Sequence, residues 1–366
     1  MPLAGLRILR QKISMDAITA ISTAQPELSE ARALQLLAEN FGLRGKLKPL
    51  LSERDQNFRL TADDGPVFVF KIANSSESPV TTDFQIRALL HIESRRCPVA
   101  TPRIRRSVAG EVSEQLCVGD VTHVSRVVSY LAGELLSDVV TSPRLAAHLG
   151  QCAAELDLAL ADFAHPGENQ PLLWDMQRVD RLREFLQYIA DAKLRATVGA
   201  CIDDFDARVK PRLPALRQQV IHADLHGDNV LVCSDNHNRV AGVIDFGDML
   251  RAPLIMEVAI AAAYLRDLDG DSLRLIAPFV AAYNEVIPLH EVEIGLLFDL
   301  VRARLCATIS ILRCRSAMRG AADQYSQEYM QSERTADTFL LRLNELGRDA
   351  FTERMQSACS NAQELS

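Results

Sequence analysis

Between Gln219 and Phe246, a mostly helical half of the chain breaks into two short strand-like runs that hold up polar loops. No other stretch restricts the fold as much. VIHADLHGDN leads into VLVCS, a turn follows at DNHN, and VAGVID leads into FGD. A strand-turn-strand this short brings its two ends together, so Asn229 and Asp245 are expected side by side. HADLHGDN (222–229) offers two histidines, two aspartates and an asparagine. Such a set suits metal ligation, acid/base chemistry or a hydrogen-bonded polar turn.

Around this element the chain divides by texture. PELSEARALQLLAENFGL (26–43) has a plausible cap at Ser29 followed by helical apolar spacing. In 47–74 the runs FRL and VFVFKI flank the turn signal ADDG, which predicts a β-hairpin. Helical period returns over 78–94. Further strand-like runs lie near Arg103–Val108, Glu114–Val118 and Thr122–Tyr130. The expected fold class is α+β: a small antiparallel sheet with one inserted helix, then a mainly helical lobe. Apolar residues recur every three to four positions near 143–163, 174–193, 195–209, 252–267, 272–285, 290–315 and 321–347. We divide the chain into a leader over 1–28, expected to be disordered, a nucleotide-binding lobe over 29–131 and a helical lobe over 132–366. The leader is basic at first, but Arg7, Arg10 and Lys12 interrupt any signal-peptide core, and Met15 is an alternative start.

Charge and cysteine usage remove several function classes. A net charge of −8 leaves no basic footprint for nucleic acid; PRIRRS at 102–107 reads as a solvated loop. No apolar run approaches the ~18 residues of a membrane span. The eight cysteines form no CxxC pair, which argues against zinc and for reduced thiols in a cytoplasmic protein. The sequence carries no signal for an oligomeric state.

Two chemistries compete for the polar loops. His222, Asp224 and His226 alternate, as metal ligands on an extended strand would, and Asp224-Leu-His-Gly resembles the first block of metallophosphoesterases. The later blocks of that family have no match; Asn236-His237 sits in a turn. Phosphoryl transfer needs an acceptor-orienting carboxylate, oxygen ligands for Mg²⁺ and a cation on the phosphates. Asp224 can orient an attacking hydroxyl, Asn229 and Asp245 can supply a neutral and a charged oxygen to Mg²⁺, and Lys71 is a lysine in an apolar strand, costly to bury without an anion.

Through these residues the chain resembles the aminoglycoside phosphotransferase and choline kinase superfamily, whose fold is protein-kinase-like and two-lobed. His222, Asp224 and Asn229 meet its His-x-Asp-x-x-x-x-Asn signature, and Asp245, Phe246 and Gly247 its Asp-Phe-Gly. In protein kinases the related motifs divide the work between an acceptor-facing Asp and metal-holding Asn and Asp side chains. SERDQNF (52–58), VFKIAN (69–74), DFQIRALLHI (83–92) and GVIDFGDM (242–249) are most similar to the hydroxylysine kinase group and to phosphotransferase domains fused to some aminotransferases.

The resemblance implies GTP or ATP as donor, Mg²⁺, and a small hydroxylated amine as acceptor. A hydroxylysine-like acceptor is favoured; homoserine, choline, ethanolamine and an aminoglycoside remain alternatives, as does an inactive nucleotide-binding protein. It places Ser52 and Asn57 at the phosphates in a loop without glycine, and Ser129 and Leu131 at a hinge beside the nucleotide. Asp83 or Gln85 would stand where a glutamate usually pairs with the strand lysine. Asp248 and Glu257 are expected at the substrate ammonium, with helix N-terminal stabilisation as the other use of Glu257. His222 is expected to brace the loop through carbonyls near Asp-Phe-Gly, and His226 to orient the loop or simply to be a hydrogen-bonded turn residue. Arg302 and Arg304 would meet a substrate carboxylate or else form surface salt bridges; Asp228 receives no role.

Overall fold

The computed structural model describes residues 25–52, 54–319 and 335–363. The leader up to residue 24, with Met15, and the first part of the helix expected over 321–347 lie outside the described residues. Helix α1 (Glu30–Phe41) starts where the Ser29 hydroxyl accepts the N–H of Arg32 and stops at Gly42, whose φ of 65° is left-handed. Its buried stripe of Ala33, Leu36, Leu37 and Phe41 packs on the first sheet. That sheet contains β1 (Gly45–Leu50), β2 (Gln56–Ala62), β3 (Val67–Ile72), β4 (Ile104–Arg105), β5 (Glu114–Val118) and β6 (Val121–Ser129). Its order is β1-β2-β3-β6-β4, with β5 also on β6 and every pairing antiparallel.

The hairpin expected at ADDG is β2–β3, closed by the Ala62 N–H on the Pro66 carbonyl at 2.9 Å. Strand β1, with Lys46, Lys48 and Pro49, was not separately expected; its polar, proline-bearing sequence suits the edge it occupies. The run expected over Arg103–Val108 pairs only at Ile104 and Arg105. Phe58, Leu60, Phe70, Ile72, Leu116 and Val127 form the core under this sheet. Each such residue contributes roughly 1.5–3 kcal/mol by leaving water. Helix α2 (Pro79–Ser94), capped by Ser78, connects β3 to the remaining strands.

The rest is mainly helical. Strand β7 (Glu134–Leu135) is followed by α3 (Pro143–Leu160), α4 (Ala192–Asp204), β8 (Gln218–Ile221), β9 (Val230–Cys233), β10 (Asn236–Val243), β11 (Leu250–Pro253), α5 (Ile255–Ala262), α6 (Ile276–Val286), α7 (Glu291–Arg319), α8 (Thr335–Leu346) and α9 (Arg348–Gln363). The segment expected as a helix over 174–193 is a 3₁₀ run, Met176–Tyr188, broken at Arg178 by φ −115°. Helix α9 was not expected, because only Phe351, Met355 and Cys359 give it a buried stripe. Helices α3 and α6 touch closely at Gly150: a Cβ there would lie 2.1 Å from the Phe279 carbonyl oxygen.

Two small ribbons position the polar loops. β8 pairs with β11, and β9 pairs with β10 on one side and β7 on the other. The loop 222–229 therefore leaves β8 and enters β9, while Asp245 follows β10. The Ile244 N–H donates to the Asn229 carbonyl at 2.9 Å, which joins the two loops directly. Among the described residues no helix is long and apolar enough to cross a membrane. All eight cysteines are free, five of them buried.

Candidate active site

Strand β8 delivers the chain to Ala223, which adopts φ 61°. A left-handed alanine costs roughly 1–3 kcal/mol, so its surroundings must hold it there. The holder is Glu257 on α5, whose Oε2 accepts the Ala223 N–H at 2.9 Å. Next to it His222 is buried, and burial keeps its imidazole below its ordinary value. The neutral ring's Nε2 meets the Ile244 carbonyl at 3.1 Å, its Nδ1 accepts the Asp224 N–H at 3.3 Å, and its edge meets Phe246. His222 thus ties the first polar loop to the residue before Asp245.

Asp224 is held at both oxygens. Arg304 Nη2 donates to Oδ1 at 2.9 Å and Asn229 Nδ2 to Oδ2 at 2.8 Å, with His226 Nε2 3.3 Å from Oδ2. Burial alone would push this carboxyl up; His226 and Arg304 overturn that and hold it at about 2. The group is a fixed anion at neutral pH, suited to orienting a hydroxyl more than to taking up a proton. His226 answers in kind: burial pulls its imidazole down, but Asp224 lifts it above its ordinary value. The Asn229 amide nitrogen faces Asp224, with a further bond to the Asp224 carbonyl at 3.0 Å, so its carbonyl oxygen points the other way.

Asp245 also has a left-handed backbone, φ 58°, and its Oδ1 accepts the Gly247 N–H at 3.2 Å. Lys71 Nζ lies 3.8 Å from Oδ1 and is the main reason this carboxyl is held below its ordinary value. Lys71 faces Asn57 across β2–β3, and the Asn57 side-chain oxygen has no partner among the described residues. The loop before β2 is held without glycine: Asn74 donates to the Arg54 carbonyl at 3.0 Å, and Asp55 accepts the Asn74 N–H at 3.1 Å. Arg54 then reaches across to Asp248 at 3.0 Å.

These groups share a cavity of about 680 Å³. Ser52, Asn57 and Lys71 line one part; Asp224, Asp228, Asn229, Asp245 and Asp248 line another, with Asp138 and Trp174. Asn229 and Asp245 provide one neutral and one anionic oxygen. Among the described residues no three His, Cys, Asp or Glu side chains converge into a metal cage. This small oxygen set fits Mg²⁺, which takes few protein ligands and completes its shell with waters and phosphate oxygens.

Several expectations are redirected. Glu257 does not meet an ammonium: it is 1% exposed beneath the loop, on a helix buried on all sides, and burial raises its carboxyl to about 7. The lysine's helix partner is neither candidate. Asp83 pairs with Arg87 and His165, each at 3.1 Å, and Gln85 accepts from Arg126. The α2 register turns Asp83 to the His165 side, while Gln85 lines the cavity but is taken up by Arg126 and Glu77; the anion beside Lys71 is Asp245. Ser129 and Leu131 stand outside the cavity wall: the Ser129 hydroxyl accepts the Arg103 N–H at 2.9 Å, and Leu131 lies against Gly242. Asp248 lines the cavity but is already paired with Arg54. Arg302 and Arg304 are both buried: Arg302 meets Asp204 at 2.8 Å, and Arg304 holds Asp224.

Glu77, Trp174 and Arg315 also line the cavity and are not among the site residues expected from the sequence. Glu77, raised by burial and by Asp55, lies beside Gln85. Trp174 is the chain's one tryptophan, and Arg315 sits near its ring. The one signal for Arg315 is an arginine-bearing apolar helix, LVRARLCATISILRCR, whose charges need buried partners.

Comparison with known proteins places this geometry among relatives. The phosphotransferase enzyme family matches residues 46–291. Hydroxylysine kinase of Danio rerio is 27% identical over 347 residues, covering 92% of this chain and 97% of that protein. Homoserine kinase of Methylobacillus glycogenes is 31% identical over 203 residues, covering 54% and 57% respectively. The structure of a microcompartment-associated aminopropanol kinase superposes with a TM-score of 0.67 at 16% identity, covering 87% of this chain and 98% of that one.

Proposed function

The chain belongs to the phosphotransferase enzyme family, with a protein-kinase-like α+β fold, and on that premise we propose that it moves the γ-phosphoryl group of GTP or ATP to the hydroxyl of a small hydroxylated amine. A hydroxylysine-like amino acid is the favoured acceptor. The observation that carries this reading is one cavity in which Lys71, Asn229, Asp245 and an anionic Asp224 converge. The division at residue 131 into a nucleotide lobe and a helical lobe belongs to the same proposal, as does a cytoplasmic setting, in keeping with the eight free thiols.

In this mechanism Lys71 holds the donor phosphates, and Ser52 and Asn57 line their path. Asn229 and Asp245 would hold Mg²⁺, which would neutralise charge on the phosphates. Asp224, fixed from two sides, accepts the hydrogen bond of the acceptor hydroxyl and aims its oxygen at the phosphorus. Positioning of this kind supplies most of what a loose phosphoryl-transfer transition state needs. The Asp138 and Asp228 carboxylates suit an acceptor ammonium. Nucleoside diphosphate release, followed with both nucleotides against hydroxylysine, homoserine, choline, ethanolamine and an aminoglycoside, tests the reading. Acceptor-dependent release is expected, highest with hydroxylysine; release that ignores every acceptor overturns it.

A further inference from the structure

We infer that Arg54 and Asp248 are a positioning pair that latches the donor cavity, a bridge that must open for a nucleotide to enter or leave; this rests on the phosphotransfer reading above. Arg54 Nη2 donates to Asp248 Oδ1 at 3.0 Å, across a separation of 194 positions in sequence. Both residues line the cavity that holds Lys71, Asn229 and Asp245. In the chain Arg54 lies between Ser52 and Asn57, the residues along the proposed phosphate path. Its side chain therefore crosses that path to reach the opposite wall.

Both ends of the bridge are fixed from behind. The Arg54 carbonyl accepts from Asn74 Nδ2 at 3.0 Å, and the adjacent Asp55 Oδ1 accepts the Asn74 N–H at 3.1 Å. Asn74 is itself buried. On the far wall Gln170 Nε2 donates to the Gly247 carbonyl at 3.1 Å and to the Met249 carbonyl at 2.6 Å, one on each side of Asp248. Glycine would let a covering loop shift its main chain. Residues 51–58 contain none, and the main chain at Arg54 is pinned, so the part left to swing is the Arg54 side chain. Distance sets this bridge apart from its neighbour. Lys71 and Asp245 lie 3.8 Å apart, beyond hydrogen-bond reach, and either can turn to a bound group without breaking a formed bond. Arg54 and Asp248 share a charge-assisted hydrogen bond that has to break first. Their side chains are 39% and 14% exposed, so water weakens the bond enough for it to open. Such a latch acts on the donor and not on the acceptor. It slows nucleotide exchange in both directions and keeps the phosphates in place during transfer.

Stopped-flow entry and release of fluorescent GDP and ADP read the latch without any chemistry. Arg54→Gln and Asp248→Asn are each expected to speed release by roughly 3- to 10-fold, between an exposed ion pair and a buried charge-assisted bond. Entry is expected to speed by the same factor, leaving nucleotide affinity nearly unchanged, because the bridge is closed both before and after binding. The double change is expected to be no faster than either single one, and Arg54→Lys to restore part of the parent rate. Both residues have further interactions, so the full cycle, and not a single change, isolates their pair. Unchanged rates in both single variants, or effects that simply multiply in the double variant, overturn the latch while leaving the kinase reading intact. A loss of affinity with Arg54→Gln that Asp248→Asn does not share overturns it too, since Arg54 would then grip the phosphates itself. A parent protein that binds neither nucleotide overturns the kinase reading and the latch with it.

Discussion

Replacing Glu257 by Gln separates the charge of this buried carboxyl from its hydrogen bond. Glu257 is 1% exposed, and its Oε2 accepts the Ala223 N–H at 2.9 Å. Burial first, and then Asp224, raises the carboxyl from 4.5 to about 7. In the unfolded chain the proton leaves near 4.5; in the folded protein it stays until about 7. Across that window the folded state binds more protons, so stability falls as pH rises. The contribution is complete below 4.5 and lost above about 7. At about 1.4 kcal/mol per pH unit, the loss is roughly 3 kcal/mol. Glutamine retains an acceptor oxygen for Ala223 and never ionises. Glu257→Gln is therefore expected to match the parent in urea unfolding at pH 5 and to exceed it by up to roughly 3 kcal/mol at pH 8, with turnover within a few-fold of the parent. The neighbouring Asp157, itself raised by burial and bonded to Tyr283, gains as well when the Glu257 charge is removed. Parallel stability curves for the two proteins from pH 5 to 8 would refute the reasoning.

Three further outcomes follow from the site. Asp224→Asn is expected to lower kcat by roughly 10²-fold or more, measured as acceptor-dependent diphosphate release, while nucleotide KM moves little. Asp245→Ala removes the proposed charged metal ligand and is expected to abolish Mg²⁺-dependent nucleotide affinity in a calorimetric titration; an unchanged affinity contradicts the metal role. Arg304→Met leaves the Asp224 carboxylate without its buried cation and is expected to cost roughly 3–5 kcal/mol of stability together with most of the turnover, read from denaturation midpoints and kcat.

The polar loops were legible because their residues are short, closely spaced and bracketed by strands, which fixes their mutual placement locally. Asn229 and Asp245 follow from a two-strand ribbon, and Lys71 from a charge in an apolar strand. Glu257 was expected at an ammonium or as a stabiliser of its helix N-terminus; the structure gives it the Ala223 N–H of the neighbouring loop instead. The apolar run around it, LIMEVAIAAA, signals a buried helix and so argues against an ammonium contact. The register of α2 decides that Asp83 faces His165 rather than Lys71, and that register is set by Phe84 stacking on Phe163, 79 positions away in sequence. The contacts of Trp174 with Arg304 and Arg315 join a loop to a helix far along the chain, which no local pattern encodes. At Met176–Tyr188 helical spacing was present, yet the backbone is 3₁₀, whose apolar period is close to that of an α-helix.

Direct identification of the product tests the central claim. The protein is incubated with Mg²⁺, hydroxylysine and GTP or ATP, and the mixture is read by ³¹P NMR and mass spectrometry. A phosphate monoester on the acceptor hydroxyl, formed in step with nucleoside diphosphate and roughly 10²-fold or more slower with Asp224→Asn, is the predicted result. Diphosphate accompanied only by inorganic phosphate, at the same rate with and without any hydroxylated amine, would contradict it.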